Sequence, residues 1–150
     1  MPSTETFEFE PRTRIVGGER QIFDPVRGGW YVLTPEEFVR QFYIDFMSSE
    51  LGYPISRMGC EITVKGNGPA KRADLIIYNR AGQAIMICEF KRMNVPIDKE
   101  TLFQAARYNR DLGAKYVFVA NGKEQMLVTL DLEGGQHSYS SNLVAKEILE

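Results

Sequence analysis

Two apolar runs joined by a polar turn constrain this chain more than anything else in it. Arg72-Ala73-Asp74-Leu75-Ile76-Ile77-Tyr78 and Ile85-Met86-Ile87-Cys88-Glu89-Phe90-Lys91 read as the strands of a β-hairpin. Both carry charge inside apolar sequence: Asp74 before Leu75-Ile76-Ile77, and Glu89 and Lys91 at the far end of an Ile-Met-Ile-Cys run. Charged side chains are rarely buried unless paired or bound to a metal. Residues two apart share a face of a strand, so Glu89 and Lys91 point the same way. A two-residue Ala81-Gly82 turn would set Arg80 opposite Gln83, Tyr78 opposite Ile85, Ile76 opposite Ile87 and Asp74 opposite Glu89. Opposed Cβ atoms lie about 4.5–5.5 Å apart, close enough for two carboxylates to share one cation. A three-residue loop without a bulge would turn Glu89 to the other face, so the arrangement depends on register.

The rest of the chain supplies elements to pack around this hairpin. Residues 1–29 read as an N-terminal arm or extension and 30–150 as one domain. Within the arm, Thr6–Glu10 alternates like a short strand, and the residues from Arg12 to Trp30 are extended and broken by turns. Thr34-Pro35-Glu36-Glu37 starts a helix to about Ser49, with Thr34 as N-cap, Pro35 at the first position and Glu37 closing a capping box. Phe38, Phe42 and Phe46 recur every four residues, joined by Val39, Tyr43 and Met47. Met58 to Val64 reads as a strand with Cys60, Ile62 and Val64 on one face and Glu61 exposed on the other. A basic loop, Lys65–Arg72, leads into the hairpin. Asp98 caps a second helix over about 99–112, ended by Gly113, with Leu102, Phe103, Ala105, Ala106 and Leu112 buried. Tyr116–Ala120 is a buried strand, Asn121-Gly122 turns into Gln125–Leu130, 133–136 turns towards a short strand near Tyr139, and Asn142 caps a last short helix. The order predicts an α/β fold with a mixed central sheet flanked by helices.

Composition matters here for what it excludes. With 43% hydrophobic and 25% charged residues the chain is an ordinary globular one. It has no apolar run long enough to cross a membrane and no signal-peptide pattern at its start. The expectation is a cytoplasmic protein with no membrane partner, in which Cys60 and Cys88 are reduced core thiols. One His and two Cys do not make a zinc site of the usual kind. The net charge of −2 is unevenly spread: residues 65–115 hold ten of the 18 Lys and Arg but five of the 20 acids. Positive charge gathered around the hairpin suits a phosphate-binding cleft.

Four segments then fall in a recognisable order: Leu33-Thr34-Pro35-Glu36-Glu37-Phe38-Val39-Arg40-Gln41, Lys71-Arg72-Ala73-Asp74, Glu89-Phe90-Lys91 and Phe103-Gln104-Ala105-Ala106-Arg107-Tyr108-Asn109. Together they resemble the N-terminal nuclease domain family of type I restriction enzyme R subunits, within the PD-(D/E)xK superfamily, over about residues 30–130. Gln104 and Tyr108 match the Q-x-x-x-Y element that this family shares with RecB-like nucleases. The resemblance implies the restriction-endonuclease-like fold and a Mg²⁺-dependent DNA phosphodiester hydrolase, with Mn²⁺ as a substitute. No Walker A sequence is present, so the resemblance does not extend to an ATPase motor.

By that resemblance Asp74, Glu89 and the carbonyl of Phe90 hold the metal, which suits the preference of Mg²⁺ for oxygen ligands. Lys91 orients the attacking water or stabilises transition-state charge. Glu37 is either the additional acid of the first helix or only its cap, with Glu36 as competitor for the first role. Gln104 and Tyr108 share a helical face and, with Arg72, Arg92 and Arg107, are candidate DNA contacts. Trp30 and Tyr31 read as core anchors. The implied partners are DNA, a second copy of the chain, and a helicase or restriction subunit in trans. The competing reading is a non-catalytic nucleic-acid-binding or assembly module that keeps the fold.

Overall fold

The computed structural model describes residues 2–66, 68–131, 135, 137–144 and 146–150. Its centre is a six-stranded sheet in the order β4 (Met58–Val64), β5 (Lys71–Tyr78), β6 (Ala84–Phe90), β7 (Tyr116–Ala120), β8 (Gln125–Leu130) and β9 (His137–Ser140). Among the described strands of this sheet β6 and β7 pair in parallel and the other neighbours are antiparallel. A parallel pair needs a long crossover, and helix α2 (Lys99–Leu112) supplies it.

Helix α1 (Pro35–Asp45) lies on one face of the sheet and α2 on the other. Val39, Tyr43, Ile44 and Met47 pack on Leu75, Ile77, Met86, Cys88 and Phe118. Leu102 and Ala105 pack on Ala73, Ile76, Ile87, Val117 and Val119. Because both faces are covered, the central strands carry nearly unbroken apolar sequence, and all five residues of β7 are buried. Cys60 and Cys88 are buried free thiols.

Several expectations meet a different local answer. Thr6–Glu10 is not a strand; Phe7 and Phe9 instead cover α1 through edge-to-face contacts with Phe38, Phe42 and Phe46. The following residues form a separate antiparallel sheet of β1 (Thr13–Val16), β2 (Glu19–Asp24) and β3 (Gly29–Val32), so the boundary at 29/30 falls inside β3. Trp30 and Tyr31 are half-buried on that sheet, with Arg14 4.3 Å from the Trp30 ring and Arg27 3.5 Å from the Tyr31 ring. After Asp45 the first helix continues as a π-helical turn, Phe46–Glu50.

Asp98 caps α2 by accepting from the Thr101 N–H at 3.0 Å, and Gly113 (φ 71°) ends it in the left-handed region. Asn109 is buried and clasps the Ala114 backbone through both its amide atoms, which fixes the turn into β7. Phe103, expected inside, is 62% exposed. The buried stripe of α2 runs through Leu102, Ala105 and Asn109, and Phe103 falls outside it. Phe103→Ser is therefore expected to change the unfolding free energy by less than about 0.5 kcal/mol in a denaturant titration.

The expected turn at 133–136 lies outside the described residues except for Gly135. The short helix expected to start at Asn142 does not start there; the last described element is a 3₁₀ turn, Lys146–Leu149. No helix among the described residues is long and apolar enough to cross a membrane.

Candidate active site

The hairpin reaches the expected register at its acidic end by a different route. Asn79 pairs with Gln83 through backbone and side chain, leaving the three-residue loop Arg80-Ala81-Gly82. Tyr78 then faces Ala84, not Ile85, and Arg80 does not face Gln83. A bulge at Ile85 absorbs the extra residue, so Ile77 faces Met86, Ile76 faces Ile87 and Leu75 faces Cys88. Continuing that register puts Asp74 opposite Glu89. Beyond Leu75 the Asp74 side chain takes over as acceptor: the Phe90 N–H donates to Asp74 Oδ2 at 2.7 Å.

The two carboxyl groups are half-buried and lie beside each other. Burial, and then the neighbouring Asp74 carboxylate, pushes the Glu89 carboxyl up to about 9. Burial also raises Asp74, while the Phe90 N–H works in the opposite direction. Two carboxylates in contact and largely withdrawn from water cannot both ionise cheaply, so Glu89 is held towards its protonated form. Glu89 Oε1 is buried and has no hydrogen-bond partner among the described residues. Lys91 lies just past the end of β6, where its N–H donates to the Ala120 carbonyl at 2.9 Å. Its charge lowers the Glu89 pKa, a smaller influence than burial and Asp74.

On the β4 side the sheet is interrupted. Glu61 has φ 55°, in the left-handed region, and the β4–β5 register passes from Cys60 opposite Leu75 to Ile62 opposite Ala73. Both strands change face at that step: Cys60 and Leu75 join the α1 core, while Ile62 and Ala73 join the α2 core. Cys60, Ile62 and Val64 therefore do not share one face, contrary to the strict alternation read from sequence.

Glu61 is not a free surface acid either. Its Oε1 accepts from Arg40 Nη1 at 2.9 Å, and Arg72 Nη1 lies 3.8 Å from its other oxygen. Arg40 Nη1 also donates to the Asp74 carbonyl at 3.0 Å. At its other edge Arg40 donates to Glu37, Nε to Oε2 at 3.0 Å and Nη2 to Oε1 at 3.1 Å.

Glu37 thus has a different job from closing a capping box. Thr34 caps the Glu37 N–H at 3.0 Å, but the Thr34 N–H donates to the Val32 carbonyl and not to the Glu37 side chain. Both Glu37 oxygens are engaged by Arg40, Arg27 and Gln41. Arg27 in turn pairs with the fully buried Asp24. Glu37 reaches the carboxylate pair only through Arg40, and Glu36 is exposed. Among the described residues no group of three acid, His or Cys side chains is placed to hold one ion.

Two open cavities meet at Gln104. One, of about 530 Å³, is lined by Lys91, Arg92 and Gln104; the other, of about 440 Å³, by Gln104, Arg107, Tyr108 and Lys71. The Lys71 ammonium sits 5.1 Å from the centre of the Tyr108 ring. Arg72 faces Glu61 instead of either cavity. Asp74 and Glu89 do not line the cavity walls; Lys91 links them to the first cavity. Five basic side chains line the two cavities, but so do Glu36, Asp98, Glu100 and Asp111. The basic segment does not become a purely cationic cleft, because α2 carries its own acids into it.

Sequence reasoning missed Arg40, Arg27, Asp24 and Lys71. Arg40 left one local trace: it stands three residues after Glu37, the spacing at which helix side chains meet.

A mixed six-stranded sheet between two helices, with a hairpin bringing two acids together at the sheet's end, is a nuclease-type α/β fold of the restriction-endonuclease-like class. The sequence profile of the type I restriction enzyme R protein N terminus (HSDR_N) matches residues 35–143, and the chain belongs to that family. The fragment structure of a candidate HsdR subunit of a type I restriction enzyme from Vibrio vulnificus superposes with a TM-score of 0.58 at 24% identity, over 78% of this chain and 24% of that one. A candidate nuclease of the DUF820 group from Anabaena variabilis superposes with a TM-score of 0.51 at 8% identity, over 97% of this chain and 87% of that one. This chain spans about a quarter of the Vibrio fragment. No curated protein sequence matches it.

Proposed function

We propose that this chain is a metal-dependent nuclease domain of the PD-(D/E)xK type that hydrolyses DNA phosphodiester bonds. The observation that carries the reading is the half-buried Asp74–Glu89 pair, in which the buried Glu89 Oε1 has no hydrogen-bond partner among the described residues. A buried acceptor without a donor costs stability, and an Mg²⁺ ion, which prefers oxygen ligands, is the partner such a pair fits. Asp74, Glu89 and the Phe90 carbonyl are the ligands we assign, and Mn²⁺ would substitute. When bound, the metal would polarise the scissile phosphate and lower the pKa of a water.

The remaining work falls to the chain's own groups. Lys91 adjoins the acids and opens onto the first cavity, where its ammonium would steady charge building on the phosphate or hold the attacking water. Gln104 spans both cavities and would keep the backbone in line with Lys91, while Tyr108, Arg92 and Arg107 contact the flanking strand. Arg72 would join them on leaving Glu61, and Glu37 acts through Arg40.

The mixed charge of the cavity walls favours weak DNA affinity by the chain alone. Tight binding would then come from a partner in trans, such as a helicase or restriction subunit, and cutting both strands from a second copy or from successive nicks. We place the protein in the cytoplasm, where its two thiols stay reduced.

The test is cleavage of linear and circular DNA with Mg²⁺ or Mn²⁺ against EDTA, beside Asp74→Ala and Lys91→Ala. The expected result is metal-dependent cleavage that falls by about 10²-fold or more in both variants. If all three proteins are inactive yet bind DNA with a steep salt dependence, the chain is the non-catalytic module instead.

A further inference from the structure

Arg40 does something the acids and Lys91 cannot do for themselves. Between Cys60–Leu75 and Ile62–Ala73 the β4–β5 ladder loses one step, at Glu61 and Asp74. A backbone carbonyl left out of a ladder near the core needs another donor. Arg40 Nη1 supplies it to Asp74 at 3.0 Å, and the same nitrogen holds Glu61 Oε1 at 2.9 Å. The guanidinium is itself fixed from behind by two bonds to Glu37, which Arg27 ties to Asp24. Arg40 is 8% exposed and Glu37 5%, so this is a built support and not a surface ion pair.

We infer that Arg40 and Glu61 are positioning residues for the metal ligand Asp74. They clamp the ladder break between them and thereby set the direction in which the Asp74 carboxylate leaves its strand. The argument is geometric. Asp74 sits where β5 changes face, and an unsupported peptide there could turn its side chain to either side. Held by Arg40, Asp74 presents Oδ2 to the Phe90 N–H and lies against Glu89. Only a planar guanidinium can serve Glu37, Glu61 and the Asp74 carbonyl at once; a lysine offers one nitrogen on a flexible stem.

This inference rests on the metal-site reading above, and the experiment separates the two. Mn²⁺ is titrated into the full chain, followed by electron paramagnetic resonance, for wild type, Arg40→Lys, Glu61→Gly and Glu61→Gln, with thermal melts and cleavage kinetics on the same samples. Arg40→Ala is avoided because it strips the buried Glu37 of its main partner. Glu61→Gly suits the positive φ, so it removes the Arg40 contact without adding backbone strain. Arg40→Lys and Glu61→Gly are expected to weaken Mn²⁺ binding by about 10- to 100-fold, the usual effect of removing support behind a metal ligand. Cleavage should lose kcat with KM for DNA unchanged, because neither residue lines the cavities. Glu61→Gln keeps an acceptor oxygen for Arg40 and should recover most of the affinity lost in Glu61→Gly. Wild type that binds Mn²⁺ beside variants that bind it equally well overturns the positioning role alone. So does loss of affinity that only tracks loss of melting temperature. Wild type that binds no Mn²⁺ overturns both readings.

Discussion

Glu89→Gln is expected to make the metal-free protein more stable at pH 8 while abolishing metal-dependent cleavage. In the folded chain burial and Asp74 hold the Glu89 carboxyl up to about 9, against an ordinary 4.5. Between those values the unfolded chain has released its proton and the folded chain keeps it. Stability then falls as pH rises, since the native state binds more protons than the unfolded one. Glutamine has no proton to bind or lose, and its amide can donate to Asp74. At pH 8 in EDTA the gain should be on the order of 2 kcal/mol, a rise of about 4–8 °C for a domain of this size, and it should shrink towards pH 5. Adding Mg²⁺ should stabilise wild type by mass action and leave Glu89→Gln unmoved. Melts at pH 5, 6, 7, 8 and 9, with and without Mg²⁺, would check this. A wild-type melting temperature flat from pH 5 to 9 in EDTA would mean that the two acids are not pressed together.

Glu37→Ala carries the largest expected stability loss. Arg40 would keep Glu61 and the Asp74 carbonyl, and Arg27 would keep Asp24, but the carboxylate that both guanidiniums share would be gone. Removing one partner of a buried ion pair costs roughly 3–5 kcal/mol, because the remaining charge stays out of water without compensation. Urea unfolding would read the loss, and Glu37→Gln should fall between the two, keeping acceptor capacity without the charge. The pH dependence has the opposite sign to that of Glu89. Burial raises the Glu37 pKa, but hydrogen bonds from Arg40 and Arg27 more than reverse this and hold the carboxyl below its ordinary value. A depressed folded-state pKa gives stability above the unfolded value that is lost as pH falls through the folded one. Asp24 behaves likewise: burial raises it and the Arg27 contacts outweigh that. The metal-free protein should therefore lose stability on the acid side through Glu37 and Asp24, and on the alkaline side through Glu89, with a maximum at about pH 5. An acid limb unchanged in Glu37→Ala would remove Glu37 from that account.

The same residues show how far sequence could reach. Thr34, Pro35, Asp98 and Gly113 marked helix ends correctly because capping is chemistry between near neighbours. The apolar runs of β5, β6 and β7 announced strands, and that of β7 a buried one. The pairing of Asp74 with Glu89 followed from parity, yet parity succeeded at the hairpin only because two local departures cancelled, a longer loop and a bulge at Ile85. At β4 nothing cancelled, and Glu61 broke the alternation. Phe103 read as core because hydropathy counts apolar residues without knowing which arc of the helix meets the sheet.

What the sequence determined by itself was the start of both helices, the strands from β4 to β8 and the pairing of Asp74 with Glu89, since these are written in local spacing, while the family came from the resemblance of its motifs. Tertiary structure alone decided how those acids are held. Asp24, Arg27, Glu37, Arg40 and Glu61 come from β2, the turn after it, α1 and β4, and they form one cluster only because burial in a shared interior removes the water that would otherwise serve each charge separately.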